Sequence, residues 1–213
     1  EVGGLSLNID TGPDFRQQML RAQVKRLDAV LYTHEHKDHM AGMDELRSFN
    51  FLQKKDMPVY GRPQVLDQLQ REFAYAFSEV KYPGVPQITI NKIENSPFQI
   101  EDVTIIPIEV MHYKLPVFGF RIEDFTYITD ANYISDLEKE KIKGSKVLVL
   151  NALQKKEHIS HFTLQQAIDL GIELDIPQVY LTHISHNLGL NNEVESELPD
   201  HIDLAYDGLQ ITI

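Results

Sequence analysis

The feature that most constrains this chain is a short polar run, Thr33–His39, placed between an apolar segment and a helical pattern. The apolar segment Ala29–Tyr32 is rich in β-forming residues and is short, which predicts a buried strand. The pattern that follows predicts a helix running to about Phe51, with Asp38 at its N-cap. The polar run is therefore expected on a strand-to-helix turn. It contains four side chains able to bind a metal ion within six residues: His34, His36, Asp38 and His39.

The spacing of these four side chains predicts two metal ions rather than one. Alternate residues near the end of a strand point to the same side, so His34 and His36 can meet one ion. Asp38 and His39 emerge from the turn, displaced from the first pair, and suit a second ion. The alternative is a polar loop with incidental histidines. A His/Asp cluster this dense has little structural purpose without metal, which favours the metal site.

Composition excludes several classes of protein. The 213 residues suffice for one domain with a large core, and the net charge of −12 disfavours a general nucleic-acid binder. The absence of cysteine leaves only histidine and carboxylate ligands for a metal. No apolar run approaches the roughly 20 residues of a membrane span, and no signal peptide is visible. We therefore expect a cytoplasmic protein that binds no membrane. The negative charge does not exclude a small anionic substrate, because metal ions can supply local positive charge. Its oligomeric state is left open, a homodimer included.

The remaining patterns predict one domain over residues 1–213, with two groups of strands covered by helices. The second group begins near Gln87. A helix is expected over Thr163–Leu170, with Gly171 ending it. A terminal hairpin is expected from two segments, 202–206 and 209–213, around Asp207–Gly208. Since the chain begins at Glu1 and enters a strand almost at once, we expect the native N-terminus to lie further upstream, and whether it carries a leader is left open.

Three further polar residues follow predicted strands, as the first cluster does: His112, Asp130 and His183. Together with the cluster they make five histidines and two aspartates, enough for two ions if one carboxylate bridges. Asp130 is the natural bridge because a carboxylate has two oxygens. The first ion is assigned to His34, His36 and His112, and the second to Asp38, His39 and His183. A bridging water or hydroxide would complete both, and two ions about 4 Å apart would lower its pKa toward ~7.

At this point the chain resembles the metallo-β-lactamase-fold hydrolases. The resemblance rests on the Thr33–His39 run, the three later ligands in the same order, and the early turn Asp10–Gly12. It implies an α/β four-layer αββα sandwich with a dinuclear site at one edge between the sheets. It also implies one or two further N-terminal strands before Leu5. Asp10 is expected to hydrogen-bond a site histidine or only to shape its turn; the sequence leaves both open.

Within that superfamily the chain is similar to the branch that holds phosphoribosyl cyclic phosphodiesterase and the tRNA 3′-processing endonucleases. True metallo-β-lactamases place Cys where this chain has Asp130. The segments that carry the similarity are Ile128–Ala131, His158–Thr163, Leu181–His186 and Ala205–Gly208. The resemblance implies that His161 donates a proton to the leaving oxygen or holds a phosphoryl oxygen, with a surface helix-capping histidine as the alternative. His158 is the rival for that role, and His186 is expected to support the site.

These observations predict a metal-dependent phosphodiesterase that acts on a small or cyclic phosphodiester. Asp38 would orient the nucleophile while binding the second ion, and His161 would act on the leaving group. Zn²⁺ or Mn²⁺ suits the ligand set, with Fe²⁺ also compatible. A thioester or lactone hydrolase is the runner-up, because polarising a carbonyl needs similar charge placement. A tRNA-processing endonuclease ranks lower, since the chain is acidic and has no long basic insertion. A non-catalytic protein that inherited the fold is the third class.

Overall fold

The computed structural model of the chain describes residues 1–213. It divides into two compact units, Glu1–Glu94 and Asn95–Ile213, and each unit contains one β-sheet. The prediction of two strand groups with helices between and after them is therefore confirmed. The predicted start of the second group near Gln87 was wrong, because the strand Ile88–Lys92 pairs in parallel with Met57–Gly61 in the first sheet, and the second sheet begins at Phe98. None of the helices combines the length and apolar character needed to cross a membrane.

The first unit holds four parallel strands in the order β1-β2-β3-β4. Parallel neighbours need crossover connections, and each connection here carries helix. The strands are β1 Leu7–Ile9, β2 Ala29–Leu31, β3 Met57–Gly61 and β4 Ile88–Lys92. The helices are α1 Phe15–Arg21, α2 Lys37–Met40, a 3₁₀ helix Met43–Leu46, α3 Arg47–Gln53, α4 Pro63–Glu72 and α5 Ala74–Phe77.

The core of the first unit forms where the apolar stripes of these helices meet one face of the sheet. Phe15 of α1 and Leu66 of α4 pack in one cluster with Val30 of β2 and Val59 of β3. The next residue, Leu31, points to the opposite face of the sheet and is also fully buried. The short β2 strand is thus buried on both faces, as its continuous apolar sequence predicts.

The second unit holds the larger sheet, whose order is β12-β11-β10-β8-β7-β6-β5, with β9 paired to β6. Strands β5 to β8 form an antiparallel meander, whereas β8, β10, β11 and β12 are parallel. The strands are β5 Phe98–Ile100, β6 Val103–His112, β7 Leu115–Ile122, β8 Phe125–Ile128, β9 Tyr133–Ile134, β10 Val147–Asn151, β11 Gln178–Thr182 and β12 Ile202–Leu204. The helices are α6 Asp136–Ile142, α7 Leu164–Glu173 and α8 Asn191–Glu195.

Two predictions about the first cluster's helix were wrong. The helix begins at Lys37 with His36 at its N-cap, so Asp38 lies inside the first turn. It also does not run continuously to Phe51, because it stops at Met40 and resumes as separate segments. The break has a local cause: the Gly42 amide donates to the Thr11 carbonyl oxygen at 2.8 Å instead of continuing the helical ladder.

Two predictions in the second unit were also wrong. Helix α7 continues through Gly171 to Glu173. A Cβ atom at Gly171 would lie 2.9 Å from Val179 Cγ2, so this glycine permits close packing of the helix on β11 rather than ending the helix. The terminal hairpin is absent, because β12 pairs in parallel with β11 and residues 209–213 form no strand.

Candidate metal centre

The first four predicted ligands lie in the first unit, at the turn between β2 and α2. His34 is fully buried and His39 is 7% exposed, whereas His36 and Asp38 are exposed. His34 Nε2 lies 3.0 Å from His36 Nδ1. Two nitrogens that bind one tetrahedral zinc at about 2.05 Å lie roughly 3.3 Å apart, so this pair fits a shared ion. His39 Nε2 lies 3.4 Å from Asp38 Oδ2, which matches the second predicted pair.

The side chain of Asp10 holds this turn through three hydrogen bonds. One of its carboxylate oxygens, Oδ1, accepts a hydrogen bond from the Thr33 amide at 2.8 Å. The other, Oδ2, accepts from Thr33 Oγ1 at 2.7 Å and from His39 Nδ1 at 2.7 Å. Of the two roles that the sequence left open, Asp10 therefore has the first: it hydrogen-bonds a site histidine.

These hydrogen bonds also decide which ring nitrogen carries a proton. Because the carboxylate of Asp10 only accepts, His39 must donate through Nδ1, which makes Nε2 the nitrogen with the lone pair. Thr33 Oγ1 gives its proton to Asp10 and can accept from His34 Nδ1, which lies 2.9 Å away. His34 is thereby also set to present Nε2. Metal-binding histidines are commonly oriented by such outer contacts.

Two glycines allow the Asp10 turn to dock against the ligand loop. The Thr11 amide donates to the His39 carbonyl oxygen at 2.7 Å. A Cβ atom at Gly12 would lie 2.8 Å from the Asp38 carbonyl oxygen, and one at Gly42 would lie 2.4 Å from the Gly12 carbonyl oxygen. The sequence identified Gly12 as part of a family turn but gave no signal for Gly42, because the contact joins segments 30 residues apart.

The other predicted ligands lie in the second unit around Asp130, which is 3% exposed. Asp130 follows β8 with a left-handed backbone, φ 55°, and its Oδ2 accepts from Thr129 Oγ1 at 2.8 Å. His183 Nδ1 lies 3.4 Å from Asp130 Oδ2, and His112 Nε2 lies 4.0 Å from Asp130 Oδ1. These three predicted ligands are therefore brought together.

His112 is the last residue of β6 rather than a residue after the strand, and it pairs with Leu115 across the hairpin. Its Nδ1 donates to the Ser160 carbonyl oxygen at 2.9 Å, so its Nε2 carries the lone pair. This bond also fixes the segment that precedes His161.

His161 lies within this group, with its Nδ1 3.7 Å from Asp130 Oδ1. Its ring stacks on that of His183 at 4.9 Å and lies 4.7 Å from that of His112. Burial lowers the pKa of His161 to about 4; Asp130 opposes this shift, and the neighbouring histidines add to it. The surface-capping alternative does not hold, since the side chain is 11% exposed and Thr163 is the N-cap of α7.

His161 is also placed to bind metal, a role that the sequence analysis did not give it. One ligand atom each from His112, Asp130 and His161 lie within 4.8 Å of one another. His158, the rival for the role beside the leaving group, is exposed and stacks on His161 at 5.0 Å. His186 is exposed.

Asn151, which the sequence analysis missed, braces the segment after Asp130. Its Oδ1 accepts from the Ala131 amide at 2.8 Å, and its Nδ2 donates to the Ala131 carbonyl oxygen at 2.9 Å. The Phe162 amide donates to the same carbonyl oxygen at 2.7 Å. Asn151 thus joins the loop of Asp130 to the loop of His161. No local sequence pattern marks it, because it reads as the end of an ordinary buried strand.

A family profile described as "Beta-lactamase superfamily domain" matches residues 7–184. The chain belongs to the metallo-β-lactamase superfamily. The match includes every predicted ligand and covers parts of both compact units. The resemblance derived from the sequence is therefore confirmed, as is the metallo-β-lactamase fold with its two sheets. A single domain over residues 1–213 stays a prediction.

Solved structures place this superfamily member in the predicted branch. A diphosphatase from the PhnP family is 31% identical with a TM-score of 0.92, covering 100% of this chain and 82% of that one. The short form of human tRNase Z is 20% identical with a TM-score of 0.71, covering 96% and 82%. The chain is thus a metallo-β-lactamase-fold hydrolase of the branch that includes the PhnP-family diphosphatase, and its likeness to the short tRNase Z is one of fold. This fold implies divalent metal ions, and the imidazole and carboxylate groups described above suit them.

The curated relatives include an octanoyltransferase and a ribonuclease Z. An octanoyltransferase of Porphyromonas gingivalis is 40% identical over 212 residues, which is 99% of this chain and 43% of that protein. A ribonuclease Z of Lactiplantibacillus plantarum is 25% identical over 143 residues, which is 65% of this chain and 43% of that protein. The chain therefore spans less than half the length of these relatives.

Proposed function

We propose that this superfamily member is a metal-dependent phosphodiesterase that acts on a small or cyclic phosphodiester. The observation that carries the proposal is the position of His161, a histidine beyond the seven predicted ligands that lies beside Asp130, His112 and His183. Two divalent ions would be held by the seven ligands: His34, His36, Asp38, His39, His112, Asp130 and His183.

The donor chemistry supports this assignment. Hydrogen bonds on the far side of the rings set His34, His39 and His112 to offer Nε2 to a metal. Imidazole with carboxylate suits Zn²⁺, Mn²⁺ or Fe²⁺. Such ions, when bound, would neutralise charge on a phosphoryl group and lower the pKa of a bound water to about 7.

The protein's own groups then have distinct roles in the proposed reaction. Asp38 is exposed beside His39 Nε2, so its carboxylate can orient an attacking water while binding the second ion. His161 is held between Asp130 and the His183 ring, and it can donate a hydrogen bond to a phosphoryl or leaving oxygen. The likeness to the PhnP-family diphosphatase supports a phosphoryl substrate.

Metal analysis followed by parallel turnover assays tests the proposal. The assays use a generic phosphodiester, a cyclic phosphodiester, a thioester and a lactone. We expect turnover of the phosphodiesters, and a loss of 10²- to 10⁴-fold in His161→Ala. Retained metal content in this variant would separate a role beside the leaving group from a role as a metal ligand. His201→Ala is the matched control. Unchanged turnover in His161→Ala would show that the assigned role is wrong.

A thioester hydrolase is the second candidate, and the octanoyltransferase relative favours it, because acyl transfer acts on an activated carbonyl. That relative has more than half of its length outside the match, so its name does not decide which part carries the activity. Selective cleavage of the thioester in the same parallel assay would replace the phosphodiesterase proposal.

RNA cleavage is a third outcome, because ribonuclease Z proteins are among the relatives. The net charge of −12 opposes it, since RNA binding draws on released counterions. Tight tRNA binding that weakens steeply with salt would favour it over a small substrate.

A further inference from the structure

Three large exposed side chains belong to segments that carry the predicted ligands of the second unit. They are Tyr113, Tyr133 and Ile159, with 48%, 58% and 64% of their surface exposed. We call these three residues the aromatic patch. Each stands close in sequence to a residue of the candidate centre: Tyr113 follows His112, Tyr133 is three residues after Asp130, and Ile159 is two before His161. Large exposed side chains grouped at one site are typical of ligand or partner surfaces.

Hydrogen bonds hold the three segments of the patch together. Asn132 Oδ1 accepts from the Tyr113 amide at 2.8 Å, and Asn132 Nδ2 donates to the Ile159 carbonyl oxygen at 3.1 Å. Tyr133 pairs with Met111 where β9 meets β6. Hydrogen bonds therefore hold the backbone of the patch in place, although its side chains are exposed to solvent.

We propose that the aromatic patch binds the base of a nucleoside phosphate, so that the phosphodiester substrate carries a nucleoside group. This inference rests on the proposed phosphodiesterase function and names its substrate class. A tyrosine ring offers a flat face on which a base can stack, whatever the base sequence. The metal ions that His112 and Asp130 would bind, next to the patch in the chain, would then hold the phosphate of the same molecule.

The polar groups around the patch favour a nucleotide over an alkyl chain. Lys114 is exposed, and its Nζ lies 5.3 Å from the centroid of the Tyr113 ring, within range of a cation–π contact. That ammonium can pair with a second phosphate or a sugar oxygen. An acyl chain would gain nothing from this charge, and two exposed phenol groups would remain hydrated beside it.

Equilibrium binding separates the base from the phosphate. Calorimetric titration of the metal-loaded protein compares adenosine 5′-monophosphate with ribose 5-phosphate, which lacks the base. We expect the nucleotide to bind about tenfold more tightly. The double variant Tyr113→Ala/Tyr133→Ala should lose this preference, whereas Tyr113→Phe/Tyr133→Phe should keep it because the rings remain. Leu137→Ala, at a site 82% exposed on α6, is the control for loss of a large exposed side chain.

Equal affinity of the two ligands in the unmodified protein would overturn the inference, as would an unchanged preference in the double alanine variant. The turnover assays on phosphodiesters are run separately. Turnover without a base preference would refute the patch and leave the proposed function standing. A base preference that depends on the tyrosines, without turnover of any phosphodiester, would refute the proposed function and leave the binding site standing.

Discussion

At the scale of single residues, the contacts behind each imidazole matter as much as the imidazole itself. Asp10, Thr33 and the Ser160 carbonyl each hold the Nδ1 side of a histidine. A ring fixed in this way loses little freedom when it binds an ion, and its tautomer is already correct.

The substitution Asp10→Asn tests this outer contact. The amide keeps the size of the carboxylate but removes the charge that holds the His39 Nδ1 proton. We expect metal affinity to fall 10- to 100-fold with the fold retained. Titration against a competing chelator measures the affinity. Asp14→Asn is the control, because Asp14 is exposed and its side chain caps no helix. Equal metal affinity in both variants would contradict the orienting role of Asp10.

The double hydrogen bond of Asn151 gives a second test. Asn151→Ala leaves the buried Ala131 amide without its acceptor, which should lower the free energy of unfolding by about 1–3 kcal/mol. Metal affinity should fall as well, since the neighbouring Asp130 loses its brace. Asn151→Asp can still accept from the amide, but it loses the donor to the Ala131 carbonyl oxygen and buries a charge, so it should not restore stability. Urea unfolding and metal titration check both effects, with Asn192→Ala on the exposed face of α8 as the control.

Asp28 predicts a pH dependence of stability away from the metal ligands. Burial works to raise the pKa of its carboxyl, but the Ser6 amide, Lys55 and Arg26 together hold that pKa below its ordinary value. A lowered folded pKa contributes stability that is present above the unfolded value of 3.8 and is lost as pH falls through the folded pKa.

Asp28→Asn should therefore lower the free energy of unfolding by about 1–3 kcal/mol at pH 7, where two charged hydrogen bonds are lost. The difference from the unmodified protein should stay constant down to about pH 5 and shrink below about pH 4. Urea unfolding at a series of pH values measures it, and exposed Asp56→Asn should show little effect. A difference that persists unchanged at the lowest pH would rule out the ionic explanation.

At the scale of elements, the sequence predicted features that follow from the periodicity of apolar residues. It missed features that depend on close contact between segments far apart in the chain. Strand β2 follows from its short apolar run. Gly171 was read as a helix stop, because a glycine near the end of a pattern usually is one. Its actual role, packing on Val179, depends on a strand that the helix meets only in three dimensions. The prediction of a terminal hairpin was wrong for the same reason, because β12 pairs in parallel with β11.

Gly171→Ala tests that packing. The added methyl would improve helix propensity by about 1 kcal/mol, but overpacking a stiff, buried valine should cost about 1–3 kcal/mol. We expect net destabilisation in urea unfolding. Combined with Val179→Ala, which clears the space, the loss should be smaller than the sum of the two single losses. Strict additivity would show that the two side chains do not compete for the same volume.

At the scale of the whole molecule, sequence reasoning could select the candidate ligands because they lie at the ends of strands, where rigid backbone feeds loops. His112, Asp130 and His183 each follow or end a strand of the second sheet. The substrate could not be predicted in this way. The candidate metal site is compatible with hydrolysis of several kinds of substrate, and the names of the relatives describe different activities. What distinguishes substrates is the surface beside the metal, and surface residues follow no periodic pattern.

Removing the metal should therefore affect stability as well as activity. We expect about two divalent ions per chain, and a chelator should lower the unfolding temperature by about 10 °C if free metal exceeds the dissociation constant about 1,000-fold. Zn²⁺ or Mn²⁺ should restore it. His183→Ala should show a smaller gain on metal addition. An unfolding temperature that does not respond to chelator would contradict a stabilising metal centre.

Three of the residues in or beside the centre, Asp10, Asp130 and His183, have left-handed backbones with φ of 60°, 55° and 53°. Glycine adopts that conformation with less strain, so the non-glycine residue at each of these positions lowers the stability of the fold. Natural selection for catalysis would keep these side chains despite the strain, and its relaxation would free them to change. In a lineage that kept this fold but lost its chemistry, these three positions should drift toward glycine. Such drift would be an evolutionary sign of lost enzyme function.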